Sequence, residues 1–395
     1  MQDEQPTMEV KHALYDKNQL HLTTTIVNEY HSSSVRRQAG IAKIMKSTNN
    51  FDHKRLIARG WVKVYKGCLQ HIDGSDYAVT VRRFNVEDIE MFKREVELLC
   101  QLHHPNCVSI VGFCNHKKEK ITVHEYNRSL LYYLLDEVRE TLPWKKRIEI
   151  CIGAARGLHY LHAGLKRTII HRSINSASIL LDDNMHPKLS SFGLSIMGAH
   201  FKEKSKPIQT DLVGLVHYLS LEYIKDGIVT HKCDVYAFGI VLLEVVTGVR
   251  FFPIPKELMG KCVEENIDPK IKGKIAPECW QVFIDITLRC LEDEPDERPE
   301  MGEVEVELEL ALLLQEQVDV TNINSDYTLF SKTIIIPKSE GNFQYVIGLT
   351  EQETVCSDKE GKVVRQKSHV ASDPQAEAIV KRQRRENILW KDLVQ

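Results

Sequence analysis

The 395 residues contain no Cys-x-x-Cys pair, no apolar stretch long enough to cross a bilayer and little net charge. Each absence removes a class of protein. The ten cysteines are scattered, and Cys107, Cys114 and His116 lack the spacing of zinc ligands. Reduced, mostly buried thiols in an intracellular compartment are therefore expected. A net charge of -3 offers no basic footprint, so neither nucleic acid nor an anionic membrane surface is an expected partner. The longest apolar run, Tyr236 to Val246, is interrupted by Glu244 and falls short of the roughly 20 residues needed to span a bilayer. The polar start, MQDEQPTMEVKHALYDKNQ, has no signal-peptide core, and Gln2 excludes myristoylation there. A cytoplasmic protein without direct membrane insertion is expected.

What is present suits a globular chain. With 43% hydrophobic and 27% charged residues it can bury a large core, arranged as one two-lobed domain or two smaller ones with flanks. Residues 1–46 are polar and aperiodic and read as a flexible leader. Strand-like alternation follows in WVKVYKG and DYAVTVRRF, separated by the hairpin signal Asp73-Gly74. Val86 to Leu102 carries Ile89, Phe92, Val96 and Leu99 at helical spacing. Glu95 shares or borders that stripe, so it either pairs with a cation or lies at the edge. VSIVGFCN and KITVHEY read as two further strands leading to a hinge near Glu125 and Tyr126. A helix is expected from Trp144 to Gly164, with Ile148, Cys151, Ile152, Ala155 and Leu158 as its core face. Residues 301–317 alternate acid and aliphatic with period two, a strand signal, while their composition favours helix. The tail carries a β-prone TIIIPK patch and a basic run, Lys381-Arg382-Gln383-Arg384-Arg385, read as a solvated face.

The run HRSINSASILLDDNMHPKLSSFGLS, residues 171–195, resembles the catalytic and metal-binding loops of plant receptor-like Ser/Thr protein kinases. That family writes His-Arg-Asp-x-Lys-x-x-Asn and then Asp-Phe-Gly, with the first Asp as base and the Asn and second Asp on magnesium. His171, Arg172, Phe192 and Gly193 match. Ser173, Asn175, Ser178 and Ser191 replace the four working residues, and an uncharged hydroxyl neither takes up a proton as a carboxylate does nor anchors a divalent cation by charge.

The resemblance implies an α+β, two-lobed protein-kinase-like fold over residues 47–315, with a small lobe at 47–126, a large lobe at 127–315 and a tail at 316–395. It places Arg82, in Val79-Thr80-Val81-Arg82, where a lysine normally grips ATP phosphates, with Glu95 as its partner; a register two residues earlier would put Thr80 there. Gly60 stands alone in a shortened glycine-rich loop beside Trp61, and Glu125 and Tyr126 occupy the hinge of a degenerate ATP site. His171, Arg172, Phe192, Gly193, Asp234, Glu222 and Arg298 would be structural, the last two pairing across the large lobe even though Ser220 and Leu221 replace the usual Ala-Pro. Leu215 replaces a threonine of the peptide-docking stretch. The implied function is a pseudokinase, a non-catalytic scaffold or allosteric partner that docks on an active receptor-like kinase or its substrate and reaches the plasma membrane only through that partner. No cofactor is expected. ATP and magnesium belong to two alternatives: a Ser/Thr kinase with residual activity, for which Asp182 and Asp183 are the nearby acids, and an ATP-binding sensor without phosphotransfer.

Overall fold

The computed structural model describes residues 41–71, 73–135, 141–200, 207–248, 263–321, 327, 354–357 and 363–366. The chain divides into two units, Met1–Pro253 with Ile267–Phe330, and Ile254–Asn266 with Ser331–Gln395. The described part of the second unit is a 3-10 turn at Val263–Asn266 and an antiparallel hairpin of Thr354–Ser357 with Val363–Gln366. The TIIIPK patch and the basic run lie outside the described residues.

The described part of the first unit opens with helix α1 (Ile41–Ser47), which inserts Ile44 among Tyr65, Leu69, Val79, Val81, Ile121 and Val123. The leader expected up to residue 46 thus yields its last six positions to the small lobe, because one apolar side chain per turn suffices to dock a short helix. Asn49, Asn50 and Phe51 have φ of 51°, 58° and 57° and end the helix in left-handed backbone. A five-stranded antiparallel sheet follows: β1 (Leu56–Ala58), β2 (Val62–Gln70), β3 (Asp76–Phe84), β4 (Ile110–His116) and β5 (Glu119–Glu125), in the order β1-β2-β3-β5-β4.

Side chains on β3 alternate. Val79 and Val81 join Ile44 in the core, while Arg82 and Phe84 face helix α2 (Ile89–Gln101), where the Phe84 and Phe92 rings meet edge to face at 5.6 Å. Helix α2 begins three residues later than expected, after a 3-10 turn at Val86–Asp88. Its buried face is Phe92, Glu95, Leu98 and Leu99; Ile89, expected inside, is exposed.

The large lobe is mainly helical: α3 (Leu130–Leu135), α4 (Trp144–Ala163), α5 (Leu221–Asp226), α6 (His231–Thr247), α7 (Pro277–Cys290) and α8 (Met301–Thr321). Short strand groups link them: β6 (Arg128–Ser129) with β8 (Ile179–Leu181) and β9 (Pro187–Leu189), β7 (Arg167–Ile170) with β10 (Ile196–His200), and β11 (Ile208–Gln209) with β12 (Ile228–Val229). Helix α6 is buried along almost its whole length. Thr230 caps its start, and Gly248, at φ 67°, ends it in the left-handed conformation that glycine adopts freely. The acid inside this apolar run is tied to the neighbouring 3-10 turn, since the Tyr218 hydroxyl donates to Glu244 Oε1 at 2.6 Å. Among the described residues no helix is long and apolar enough to cross a membrane.

The period-two segment is the long helix α8, packed on α4 and α7. Met301, Val304, Leu308, Ala311 and Gln315 point inward and are buried. Val306, Leu310, Leu313 and Val320 point out. Two apolar stripes on opposite faces of one helix, with acids between them, produce alternation in the sequence without a strand. The boundary expected at 315 falls inside this helix, which runs on to Thr321.

Candidate functional site

The site lies where β3, α2 and the 171–195 segment converge. Register pairs Arg82 with Thr122 on β5, so Thr122 and, two residues on, His124 share the face that looks at α2. Arg82 reaches Glu95, and Thr80 does not: Nη2 donates to Glu95 Oε2 at 3.1 Å, while Nε sits 3.0 Å from Oε1 but out of line for a hydrogen bond, an attraction of charge alone. The Thr122 hydroxyl donates to Oε1 at 3.2 Å, and His124 Nε2 lies 3.6 Å from the same oxygen. Burial pushes the Glu95 carboxyl up, but Arg82, His124 and Thr122 outweigh it and hold the group below its ordinary value. A carboxylate 1% exposed is tolerated because its charge and lone pairs are met.

The second hand of Arg82 is also taken. Nη1 donates to Ser191 Oγ at 3.0 Å. Ser191 has φ 71° and heads the 3-10 turn Phe192–Leu194, so a non-glycine residue is held in the left-handed region. The turn presses on α2: a Cβ added to Gly193 would sit 3.3 Å from Met91, and Arg94 Nη1 donates to the Gly193 carbonyl at 3.4 Å.

The loop before it is closed on itself. Ser178 is 2% exposed; its hydroxyl donates to the Asn175 carbonyl at 2.9 Å and accepts the Asn175 N–H at 3.0 Å. The Asn175 side-chain oxygen accepts the N–H groups of Ala177 and Ser178 at 2.9 and 3.1 Å, and its amide donates to the Ser173 carbonyl at 2.8 Å. The Ser173 N–H donates to His171 Nδ1 at 3.2 Å, which sets the tautomer: His171 Nε2–H donates to the Ser190 carbonyl at 2.9 Å. Burial holds this imidazole below its ordinary value and neutral, and its ring packs on Phe192 at 4.9 Å.

Asp234, near the start of α6, pins the loop backbone. Its two oxygens accept the N–H groups of His171 at 2.7 Å and Arg172 at 2.8 Å, and His162 Nε2 donates at 3.0 Å. Arg172, at φ 63°, donates to the Asp211 carbonyl at 2.9 Å and the Tyr223 hydroxyl at 2.5 Å. Across a small cleft from Ser173 and Asn175 stand Leu215, Tyr218 and Leu219. Farther off, Arg298 grips Glu222 with two parallel bonds of 2.7 and 2.9 Å.

This set of positions matches a known family. The description "Protein tyrosine and serine/threonine kinase" fits residues 52–308. The chain belongs to the protein kinase family. It is similar to three receptor-like protein kinases of Arabidopsis thaliana: FERONIA, 38% identical over 306 residues, covering 73% of this chain and 34% of that protein; ANXUR2, 39% over 300 residues, 72% and 34%; and ANXUR1, 40% over 304 residues, 72% and 35%. The chain spans about a third of the length of these relatives.

Other expected kinase positions are less engaged. Arg59, Gly60 and Trp61 separate the ends of β1 and β2, whose innermost pair is Ala58–Val64, followed by Leu56–Tyr65, and Asn85 donates to the Trp61 carbonyl at 2.9 Å. A Cβ on Gly60 meets nothing within 4 Å, and its φ is not in the left-handed range. Gly60→Ala is accordingly expected to leave a urea melt unchanged or to raise its midpoint, by up to about 1 kcal/mol, through the unfolded chain alone. At the hinge, Glu125 is exposed and ends β5. The Tyr126 N–H donates to the Ala78 carbonyl at 3.3 Å, and its ring lies 4.5 Å under the Lys66 ammonium. Asp182 closes the β8–β9 turn, accepting the N–H groups of Asn184 and His186 at 3.0 and 2.9 Å, and Asp183 is exposed beside it. The residues missed from sequence were Thr122 and His124. Their signal was the alternation of KITVHEY, which sets them on the face opposite Ile121 and Val123.

Proposed function

We propose that this chain is a pseudokinase, a kinase-family protein that serves as a non-catalytic scaffold or allosteric partner in receptor-like kinase signalling. It would dock on an active receptor-like kinase or its substrate, in the cytoplasm and at the plasma membrane only through that partner. The observation that carries this reading is the state of Arg82: its guanidinium is divided between Glu95 and Ser191, so the cation expected to meet phosphate already has two partners.

The metal positions support the same reading. A divalent cation wants anionic or carbonyl oxygens turned outward. The hydroxyl of Ser178 is spent inside its own loop, and that of Ser191 accepts from a cation, which would repel a second one. The donor set does not fit magnesium, so no phosphoryl-transfer step is assigned to it. Ser173, without a carboxylate, is no base for a hydroxyl substrate at neutral pH.

Two measurements test this on the full chain. Radioactive ATP is expected to label neither the protein nor a generic substrate above an Arg82→Met control. Thermal-shift titration with ATP is expected to give no stabilisation that depends on magnesium. Labelling above the control would restore the enzyme; a magnesium-dependent shift without labelling would make the chain a nucleotide sensor.

A further inference from the structure

We propose that the outer face of α8 is a docking site for a partner protein's amphipathic helix, one with an aliphatic seam bordered by lysine and arginine. Val306, Leu310, Leu313 and Val320 are 62%, 40%, 49% and 84% exposed. With Gln317 completing the series they are spaced four, three, four and three residues apart, the stagger by which one helix receives another along a heptad seam. The opposite face of α8 is already used by the large lobe, through Met301, Val304, Leu308 and Ala311. The exposed stripe is therefore additional to what the fold needs. From Val306 to Val320 it runs for about 21 Å at 1.5 Å per residue, long enough for four turns of an occupant.

Charge selects the occupant. Helix α8 carries Glu303, Glu305, Glu307, Glu309, Glu316 and Asp319 and no lysine or arginine. At 100° per residue, Glu303 and Glu307 border the stripe on one side, and Glu309 and Glu316 on the other. Glu309 is already paired with Arg156 and Glu303 lies 3.8 Å from Arg289, so Glu307 and Glu316 are the acids that select the partner, one on each edge. Flanking positions of this kind set partner choice through charges across the seam. A second copy of α8 would place glutamate against glutamate, which is disfavoured, whereas basic flanks meet the acids along both edges. The inference concerns a surface remote from Arg82 and stands whether or not phosphate is transferred.

The test uses the full chain and a synthetic peptide of about three heptads with leucine along its seam and lysine at the flanking positions. Fluorescence anisotropy is expected to show saturable binding that weakens as salt is added. Leu310→Ser/Leu313→Ser adds no charge and changes only exposed positions; with the melting temperature preserved, it should bind at least tenfold more weakly. A peptide with glutamate in place of each lysine should not bind. Equal affinity of the serine variant, binding of the glutamate peptide, or a dimer of the chain in sedimentation that the serine variant abolishes would each overturn the proposal.

Discussion

Arg298→Met is expected to lower the stability of the chain by about 3–5 kcal/mol in a urea melt, the range found when one member of a buried ion pair is removed. The side chain of Arg298 is fully buried and that of Glu222 15% exposed. Besides the two bonds to Glu222, the guanidinium donates to the carbonyls of Glu292 at 2.7 Å, Lys232 at 3.1 Å and Asp293 at 3.0 Å. Methionine fills a similar volume but takes the cation from a carboxylate 15% exposed, leaving it the weak Cys233 thiol donor at 3.4 Å, and takes one donor from each of three carbonyls, so packing is conserved while the polar network is weakened. Glu222→Gln provides the contrast. It keeps the shape and one acceptor oxygen, removes the charge and one of the two parallel bonds, and is expected to lose less than half as much. If Arg298→Met and Glu222→Gln cost the same, within about 0.5 kcal/mol, the charge pairing would outweigh the carbonyl network, and the argument from the three carbonyl contacts would fail.

The parts of this architecture that sequence made legible are those where one stretch of chain decides the outcome. The alternation in DYAVTVRRF sorts Val79 and Val81 from Arg82 within a single strand, and the unbroken apolar run of α6 leaves it no place but the interior. Asp234 and Glu222 could be placed because the resemblance supplied their partners. What stayed hidden depends on segments meeting. Thr122 and His124 complete the cradle of Glu95 only because β5 pairs with β3 in one register, which neither strand encodes alone. The inward turn of the Ser178 hydroxyl follows from the closure of its loop around Asn175, and a serine at that position is equally compatible with an outward one. In α8, two helical stripes on opposite faces sum to an alternation that imitates a strand, so a one-face template fails. Helix α1 was obscured by the polar residues around Ile41 and Ile44.

Removal of Arg82, whose side chain is 13% exposed, has a consequence that can be read through pH. Arg82→Met leaves Glu95 1% exposed with Thr122 and His124 as its remaining partners, and is expected to destabilise the chain by about 3–5 kcal/mol at neutral pH. The sign with acidity follows from which side of its ordinary value the carboxyl lies. In the native chain Glu95 is held below its ordinary value of 4.5, Arg82 being the largest influence in that direction. Its contribution is therefore complete above about pH 4.5 and is lost as pH falls through the folded value. Without Arg82, burial is the largest remaining influence and opposes the charged form, so the group moves up from its native position. In the variant the penalty is thus full at neutral pH and relieved as the carboxyl takes up a proton. The two stability curves should converge as pH falls. Arg82→Met/Glu95→Gln should recover most of the loss at neutral pH, since the amide needs no cation and still accepts from Thr122. A gap between wild type and Arg82→Met that stays constant from neutral to acid pH would show that the lost stability came from packing of the guanidinium stem and its bond to Ser191, and that Glu95 does not depend on Arg82 for its charge.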